Sequence, residues 1–268
     1  MDGKLAERVE RIRSDDEHGG SWLAKEALEA LVESVELGED PLVVARELVG
    51  ARPTIGAMAG ALGRVLAAGR TPEQVVEEAH ALLASRERAA AAIAVLVKDD
   101  LTGTVMTHSA SATAREALLY ARPERVVCTV SEPVGEGRSF FQELDAEGLT
   151  VELVADSDAA HAVQTVHLLL LGADTVFRDG SLVNKVGTRS LTKAAKEAGV
   201  PVVVACEVLK VAPSEPQEPE EERVDLTPPE QIDRYVTEEG AFEPDEIGSL
   251  VDRTPFLRDG YELLRGSS

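Results

Sequence analysis

The chain has 268 residues, 44% of them hydrophobic, and a formal net charge of −22 at pH 7. This length and hydrophobic content are typical of a globular protein with one large domain or two modest ones. The acidic balance, with no basic stripe or aromatic platform, argues against a nucleic-acid partner. No apolar run is long enough to cross a membrane, and the N-terminus lacks a signal-peptide pattern. The sequence therefore predicts a cytoplasmic protein without a membrane partner.

The acidic residues are distributed along the whole chain, and lysine is scarce beside arginine. Self-repulsion of this size costs stability at low salt and favours solubility at high salt, which indicates a halophilic cytoplasm. Cys128 and Cys206 both lie in apolar, strand-like runs. The favoured interpretation is two buried thiols in a reducing compartment, and the alternative is a disulfide or a metal site.

Residues 1–98 carry helix signals throughout. Asp40 is a good N-cap and is followed by Pro41 at the first helical position, and Gly50 is expected to end that helix. Thr71 begins a second helix with the same combination of cap and proline. This part of the chain is predicted to be a helical N-terminal subdomain.

From about residue 99 onward, predicted strands and helices alternate. The predicted strands are 103–107, 125–130, 150–155, 167–171 and 202–205, and the predicted helices are 111–120, 139–147, 158–165 and 189–199. Strands that alternate with helices indicate a parallel sheet with right-handed crossovers. The fold class is therefore α/β, with the helical subdomain followed by a Rossmann-like parallel-sheet domain at 99–268.

Two further segments interrupt this alternation. Residues 175–177 and 181–183 flank Asp179 and Gly180, a combination that predicts a hairpin. Residues 213–222 are rich in proline and glutamate and are predicted to be a solvated loop. The chain lacks a Gly-x-Gly-x-x-Gly turn after a strand, so no dinucleotide cofactor is expected, and its histidines show no metal-ligand spacing.

The polar residues with the clearest chemical meaning follow predicted strands. Asp174 lies at the carboxyl end of a buried strand, where open α/β sheets bind ligands. Asn184 and Lys185 come just before a helix that Thr188 is expected to cap. The free N–H groups of that helix, together with Lys185, predict a phosphate cradle. Lys210 lies just past the following strand.

The ordered set Gly-Ala-Asp at 172–174, Asn-Lys-x-Gly-Thr at 184–188 and Glu-x-x-Lys at 207–210 resembles the family of initiation factor 2B alpha, beta and delta subunits. That family also includes the methylthioribose-1-phosphate and ribose-1,5-bisphosphate isomerases. The resemblance implies a phosphorylated sugar or nucleotide as ligand and no cofactor. It also implies a homodimer or higher oligomer, with related family subunits as further candidate partners.

The resemblance places phosphate-binding residues in the helical subdomain. In the isomerases, an Arg-Gly-Ala-Gly loop and an Arg-Pro-Thr segment hold the substrate phosphate. Here Gly19, Gly20 and Arg52 match, whereas His18 stands where the loop has arginine. The alternative interpretation is a simple turn at the glycines and a surface position for Arg52. Ser111 belongs to a further matching stretch and is assigned to substrate binding.

The proton-transfer groups of the isomerases are a cysteine in a Thr-His-Cys motif and the aspartate of Gly-Ala-Asp. Asp174 is present, but the position of the cysteine is Ser109, and a lysine of the family is replaced by Ala112. A thiol has a pKa of about 8.5, whereas a serine hydroxyl ionises far less readily and needs a dedicated base. His108 is adjacent but is expected to point to the opposite face of its strand.

The segment Ser131–Arg138 matches Thr-Glu-Ser-Arg-Pro…Glu-Gly-Arg of the family. It is expected to be architectural, with Arg138 pairing an acid or binding phosphate.

These features support three hypotheses. The favoured one is an initiation-factor-2B-like protein with a sugar- or nucleotide-phosphate pocket, non-catalytic or divergent because of Ser109. The alternative is a phosphosugar aldose–ketose isomerase whose proton transfer is organised around Asp174. The third is a structural partner of related subunits with an empty cleft.

Overall fold

In a computed structural model, the structure describes residues 2–15 and 18–265. The N-terminal part consists of helices: α1 (Gly3–Ser14), α2 (Gly20–Glu36), α3 (Pro41–Ala51), α4 (Gly56–Ala68) and α5 (Pro72–Val97). Asp40 and Thr71 cap α3 and α5 by accepting hydrogen bonds from Leu42 N and Gln74 N. The helical prediction for this region is confirmed.

Gly50 does not end α3, as expected from the sequence, because the helix continues to Ala51. A glycine ends a helix when it adopts a left-handed conformation, as Gly199 does after a later helix with φ of 72°. Gly50 is not among the positive-φ glycines of this structure.

The rest of the chain alternates between strands and helices. The strands are β1 (Thr104–Thr107), β2 (Arg125–Thr129), β3 (Val151–Val154), β4 (Leu168–Leu171), β5 (Thr175–Val176), β6 (Leu182–Lys185), β7 (Val202–Ala205), β8 (Val224–Thr227), β9 (Arg234–Thr237) and β10 (Gly240–Phe242). The helices are α6 (Ala112–Ala121), α7 (Gly137–Ala146), α8 (Ala159–Ala162), α9 (Thr188–Ala198), α10 (Ile247–Arg253) and α11 (Pro255–Arg265).

Seven of these strands form one sheet in the order β10-β9-β7-β4-β1-β2-β3, parallel except for β10. The four residues of β4 and the four of β7 are buried and apolar throughout, as parallel strands covered on both faces require. The predicted α/β class with a Rossmann-like sheet is therefore confirmed. Among the described residues, no helix is long and apolar enough to cross a membrane.

The predicted hairpin forms, but β6 is longer than expected. β5 pairs with β6, and β8 joins them in a small antiparallel sheet. Pairing with β8 extends β6 through Asn184 and Lys185, so both residues lie on a buried strand rather than in a loop. Residues 213–222 connect the end of the β7 region to β8 without helix or strand.

The helical region is closed by the other end of the chain. Helix α11 packs on α4, where Gly63 and Gly260 bring the two backbones together; a Cβ added at Gly260 would lie 2.5 Å from the Gly63 carbonyl carbon. Leu209 and Leu264 complete the core of the N-terminal helices. The domain boundary between residues 98 and 99 stays a prediction.

Candidate functional site

A cavity of about 190 Å³ opens where the carboxyl ends of β1, β4 and β7 face the N-terminal helices. All nine residues that the sequence singled out for the site line it: Gly19, Gly20, Arg52, Ser109, Ser111, Asp174, Asn184, Lys185 and Lys210. The structure thus brings together segments that are far apart in the chain. Residues 16 and 17, part of the N-terminal loop before Gly19, lie outside the described residues.

Asp174 follows β4 and faces the cavity with protein on its other sides. This burial raises the pKa of its carboxyl group, against the opposing effect of the positive charges of Lys210 and Arg52. Gly20 lies beside the carboxylate, since a Cβ at that position would be 3.5 Å from Asp174 Oδ1, an ordinary van der Waals contact. Asp174 is therefore a group that holds a proton more readily than an exposed aspartate.

Lys210 approaches Asp174 from the segment after β7. Its side chain is only 4% exposed, and its ammonium donates a hydrogen bond to the backbone oxygen of Ala173. The neighbouring Glu207 accepts two hydrogen bonds from Arg86, at 2.9 and 2.8 Å. Burial opposes ionisation of Glu207, but these bonds outweigh it and lower the pKa of the carboxyl group. The ion pair fixes the 208–210 segment to α5.

Ser109 lies in a turn after β1 with φ of 66°, a left-handed conformation that is uncommon for serine. Its hydroxyl donates a 2.7 Å hydrogen bond to Glu136, and Lys185 donates to the other oxygen of the same carboxylate at 2.9 Å. The sequence assigned the segment containing Glu136 an architectural role. The structure instead places Glu136 in the wall of the cavity.

His108 does not contact the Ser109 hydroxyl. Its Nε2 lies 3.0 Å from the Val186 carbonyl, so Nε2 carries the proton and Nδ1 accepts from the Thr129 hydroxyl at 2.7 Å. Burial lowers the pKa of His108. The imidazole is therefore a neutral structural link. It does not lie on a strand as the sequence predicted, because β1 ends at Thr107.

The helix N-terminus at α9 is not the phosphate cradle that the sequence predicted. Gly187 N and Arg189 N both donate to the carboxylate of Asp225, which comes from β8 and is remote in sequence. Thr188 is the first helical residue rather than the cap, and its hydroxyl donates to Lys185 O. Because the chain supplies its own anion here, the N–H groups are already satisfied.

Asn184 and Ser111 make local structural contacts at the edge of the cavity. The Asn184 amide donates to the Thr188 hydroxyl at 3.1 Å. Ser111 caps α6 by accepting a hydrogen bond from Ala114 N at 3.2 Å. Gly172 allows that cap to fit, since a Cβ there would lie 2.5 Å from Ser111 Oγ. Their assignment to substrate binding stays a prediction.

Arg52 lies just after α3 and donates a hydrogen bond to the backbone oxygen of Asp15. Its guanidinium is also 3.8 Å from the carboxylate of Glu221, which accepts a 2.8 Å hydrogen bond from the Thr54 hydroxyl. Glu221 belongs to the segment predicted to be a solvated loop, and no sequence pattern indicated that it faces the site. His18 also lines the cavity.

The charge of the cavity differs from that of the whole chain. Among the described residues that line it, four cationic side chains (Arg52, Lys185, Lys210 and Arg223) face three carboxyl groups (Glu136, Asp174 and Glu221). The described lining therefore has one more cationic than carboxyl side chain, whereas the whole chain carries a net charge of −22. The described residues contain no group of three or more metal-binding side chains.

Together, the fold and the cavity define a Rossmann-like protein with a polar cleft at the carboxyl ends of its strands, where open α/β sheets bind ligands. The chain belongs to the Initiation factor 2 subunit family, whose sequence profile matches residues 19–223.

Two curated relatives are similar over most of the chain. The ribose 1,5-bisphosphate isomerase of Archaeoglobus fulgidus is 29% identical, with 90% of each chain covered. The isomerase of the same name from Haloferax volcanii is 31% identical and covers 77% of this chain and 76% of its own. Among solved structures, the translation initiation factor eIF-2B of Pyrococcus horikoshii OT3 superposes with a TM-score of 0.82 at 26% identity, covering 91% of this chain and 98% of its own.

Proposed function

We propose that this protein binds a phosphorylated sugar or nucleotide in the cleft between Arg52, Asp174 and Lys210, and that it does so without the isomerase chemistry named for its relatives. The observation that carries the proposal is the gathering of cationic side chains around one cavity in a strongly acidic chain. Lys185 and Lys210 are 7% and 4% exposed, so their charges are directed inward rather than solvated.

The size of the cavity favours a compact ligand. Pockets for drug-sized ligands typically occupy about 300–1,000 Å³, whereas this cavity measures about 190 Å³. A pentose phosphate fits that space more readily than a nucleotide. Buried lysines supply point charges for a phosphate, and the neighbouring Asp174 can donate a proton to it or to a sugar oxygen.

The environment of Ser109 supports a site without turnover. A carboxylate is a weak base beside an alkoxide, so the hydrogen bond to Glu136 orients the serine hydroxyl without ionising it. His108 is neutral and already bonded on both ring nitrogens. No thiol of the described residues reaches the cavity, because Cys128 and Cys206 are buried in the sheet region and do not line it.

Isomerase activity is the second candidate, and Asp174 is the observation that favours it. A carboxyl group with a raised pKa is suited to deliver a proton to a sugar oxygen. Glu136 offers a second carboxylate on the same cavity, so an acid and a base are both present. The relatives named as isomerases support the same alternative.

Calorimetric titration of the purified protein with ribose 5-phosphate, ribose 1,5-bisphosphate and AMP tests the proposal, together with an assay for ketose formation. We expect binding without turnover. Lys210→Met should abolish binding, whereas Lys193→Met, a substitution on the exposed face of α9, should leave it unchanged.

Turnover of ribose 1,5-bisphosphate at an ordinary enzymatic rate, about 1–10³ per second, would favour the isomerase instead. In that case Asp174→Asn should abolish activity, and retained activity would remove the isomerase mechanism based on Asp174. Binding of none of the three ligands would contradict both candidates. It would favour the third hypothesis, a structural partner of related subunits with an empty cleft.

We further propose that the protein works in the cytoplasm as a homodimer or higher oligomer, alone or with related subunits. Helices α5 and α6, which pack against each other, expose the apolar side chains Val95, Leu96 and Tyr120. Exposed apolar groups of this kind favour contact with another chain. Light scattering in molar salt should give a mass above that of the monomer, and a monomeric mass would contradict this part of the proposal.

A further inference from the structure

The carboxylate of Glu221 lies at the Arg52 end of the cavity as an internal anion. Thr54 donates a 2.8 Å hydrogen bond to one of its oxygens, and the Arg52 guanidinium lies 3.8 Å from the other. Although Glu221 comes from an acidic, irregular segment, its side chain is only 32% exposed, and that of Arg52 only 14%. A hydroxyl and a guanidinium that converge on one carboxylate are also a suitable pair for a phosphate.

We propose that Glu221 determines ligand specificity by filling this position, so that the cleft takes a ligand with one phosphate group rather than two. The inference rests on the proposed binding function and narrows its ligand to phosphate monoesters. Lys210 remains for the single phosphate, together with Lys185, which also pairs with Glu136. A second phosphate at Arg52 would have to displace a carboxylate that is held by the protein itself.

Electrostatics support this specificity. A second phosphate placed beside Glu221 would meet a like charge at short range, which is disfavoured, and would gain only what Arg52 and Thr54 already give to the carboxylate. Burial raises the pKa of Asp174 and the negative charge of Glu221 acts in the same direction, so Glu221 influences the centre of the cavity. A monophosphate does not occupy the position beside Glu221, so the repulsion there costs it little binding affinity.

The test compares the affinity of ribose 5-phosphate with that of ribose 1,5-bisphosphate by calorimetry in wild type, Glu221→Gln and Glu221→Ala. Glu221→Gln preserves the shape and removes the charge, and Glu221→Ala removes the side chain. Glu220→Gln is the matched control, because it changes the net charge equally from the exposed adjacent position. AMP is included as a second monophosphate, to distinguish a nucleotide from a sugar phosphate as the source of the single phosphate.

In wild type and Glu220→Gln, we expect the second phosphate to improve affinity by no more than about threefold. In both Glu221 variants we expect it to improve affinity by about tenfold or more, which corresponds to about 1.4 kcal/mol. A wild type that prefers the bisphosphate by tenfold, or Glu221 variants with an unchanged ratio, would overturn the inference while leaving the binding function intact. Failure of the wild type to bind any of the ligands would instead overturn the binding function.

Discussion

The hydroxyl of Ser109 donates a hydrogen bond of 2.7 Å to Oε1 of Glu136. Lys185 donates to Oε2 of the same carboxylate, so the serine hydroxyl, the carboxylate and the lysine ammonium are joined by hydrogen bonds in the wall of the cavity. In this setting a cysteine at position 109 would face a carboxylate at hydrogen-bonding distance.

We expect Ser109→Cys alone to produce a poorly reactive thiol, because the charge of Glu136 disfavours the thiolate. Adding Glu136→Gln leaves Lys185 as the nearest charge, so the pKa of the thiol should fall and alkylation by iodoacetamide near pH 7 should accelerate by about tenfold. The native thiols give little background, since burial raises the pKa of both Cys128 and Cys206 to about 12.

The control for this pair is Ser109→Cys combined with Glu132→Gln, which neutralises an exposed glutamate paired with Arg138. It should react like the single variant. Equal alkylation rates with and without Glu136 would show that its carboxylate does not control the reactivity of the thiol at position 109.

The raised pKa of Asp174 predicts a pH-dependent cost to stability. Between the ordinary carboxyl pKa of about 4 and its raised value, the folded protein binds more protons than the unfolded chain, so stability falls as the pH rises. Asp174→Asn lacks this titration. In urea unfolding from pH 4 to pH 8, the free energy of unfolding of wild type should therefore decline relative to that of Asp174→Asn.

Asp252→Asn serves as the comparison, because a hydrogen bond from Arg178 lowers the pKa of that exposed carboxyl group. Its stabilising contribution is already complete above about pH 4 and should stay constant across the same range. A constant difference between wild type and Asp174→Asn would contradict the assignment of a raised pKa.

The ion pair between Arg86 and Glu207 should be important for stability, because both side chains are largely buried. Glu207→Gln leaves the guanidinium without its charged partner and should lower the free energy of unfolding by about 3 kcal/mol. The double variant Arg86→Met, Glu207→Gln should recover part of that loss in urea unfolding. If Glu207→Gln were as stable as wild type, water would be solvating the Arg86 guanidinium well enough to replace its charged partner.

Two glycines in helices should respond to alanine with opposite signs. A Cβ at Gly60 would lie 1.9 Å from the Leu209 carbonyl oxygen, so Gly60→Ala should displace the 208–210 segment and cost at least about 2 kcal/mol. Gly50 is exposed, with no atom near the position of a Cβ, so Gly50→Ala should stabilise α3 by about 0.5–1 kcal/mol. Thermal unfolding measures both, and equal effects would contradict the packing at Gly60.

The sheet could be predicted from the sequence because buried parallel strands are short apolar runs between helix signals. β4 and β7 follow that pattern directly, and Asp174 and Lys210 lie near the cavity because the carboxyl ends of parallel strands share one edge. These arguments need only local periodicity and a general rule of sheet topology.

The contacts of the loops could not be predicted in the same way. Asp225 reaches the N-terminus of α9 because β8 pairs with β6, and that pairing joins segments that are remote in sequence. Glu136 and Glu221 are acids in polar segments, and their composition predicts exposure rather than a position in a cavity wall. Their positions depend on tertiary packing, which local sequence patterns do not predict.

The close approach of Gly63 and Gly260 also has a consequence for synthesis on the ribosome. Helix α4 is translated well before α11, which covers it. Until then the nascent chain presents an apolar groove on α4 that can bind unsuitable neighbours. The interval of greatest aggregation risk therefore ends only when α11 has left the ribosome.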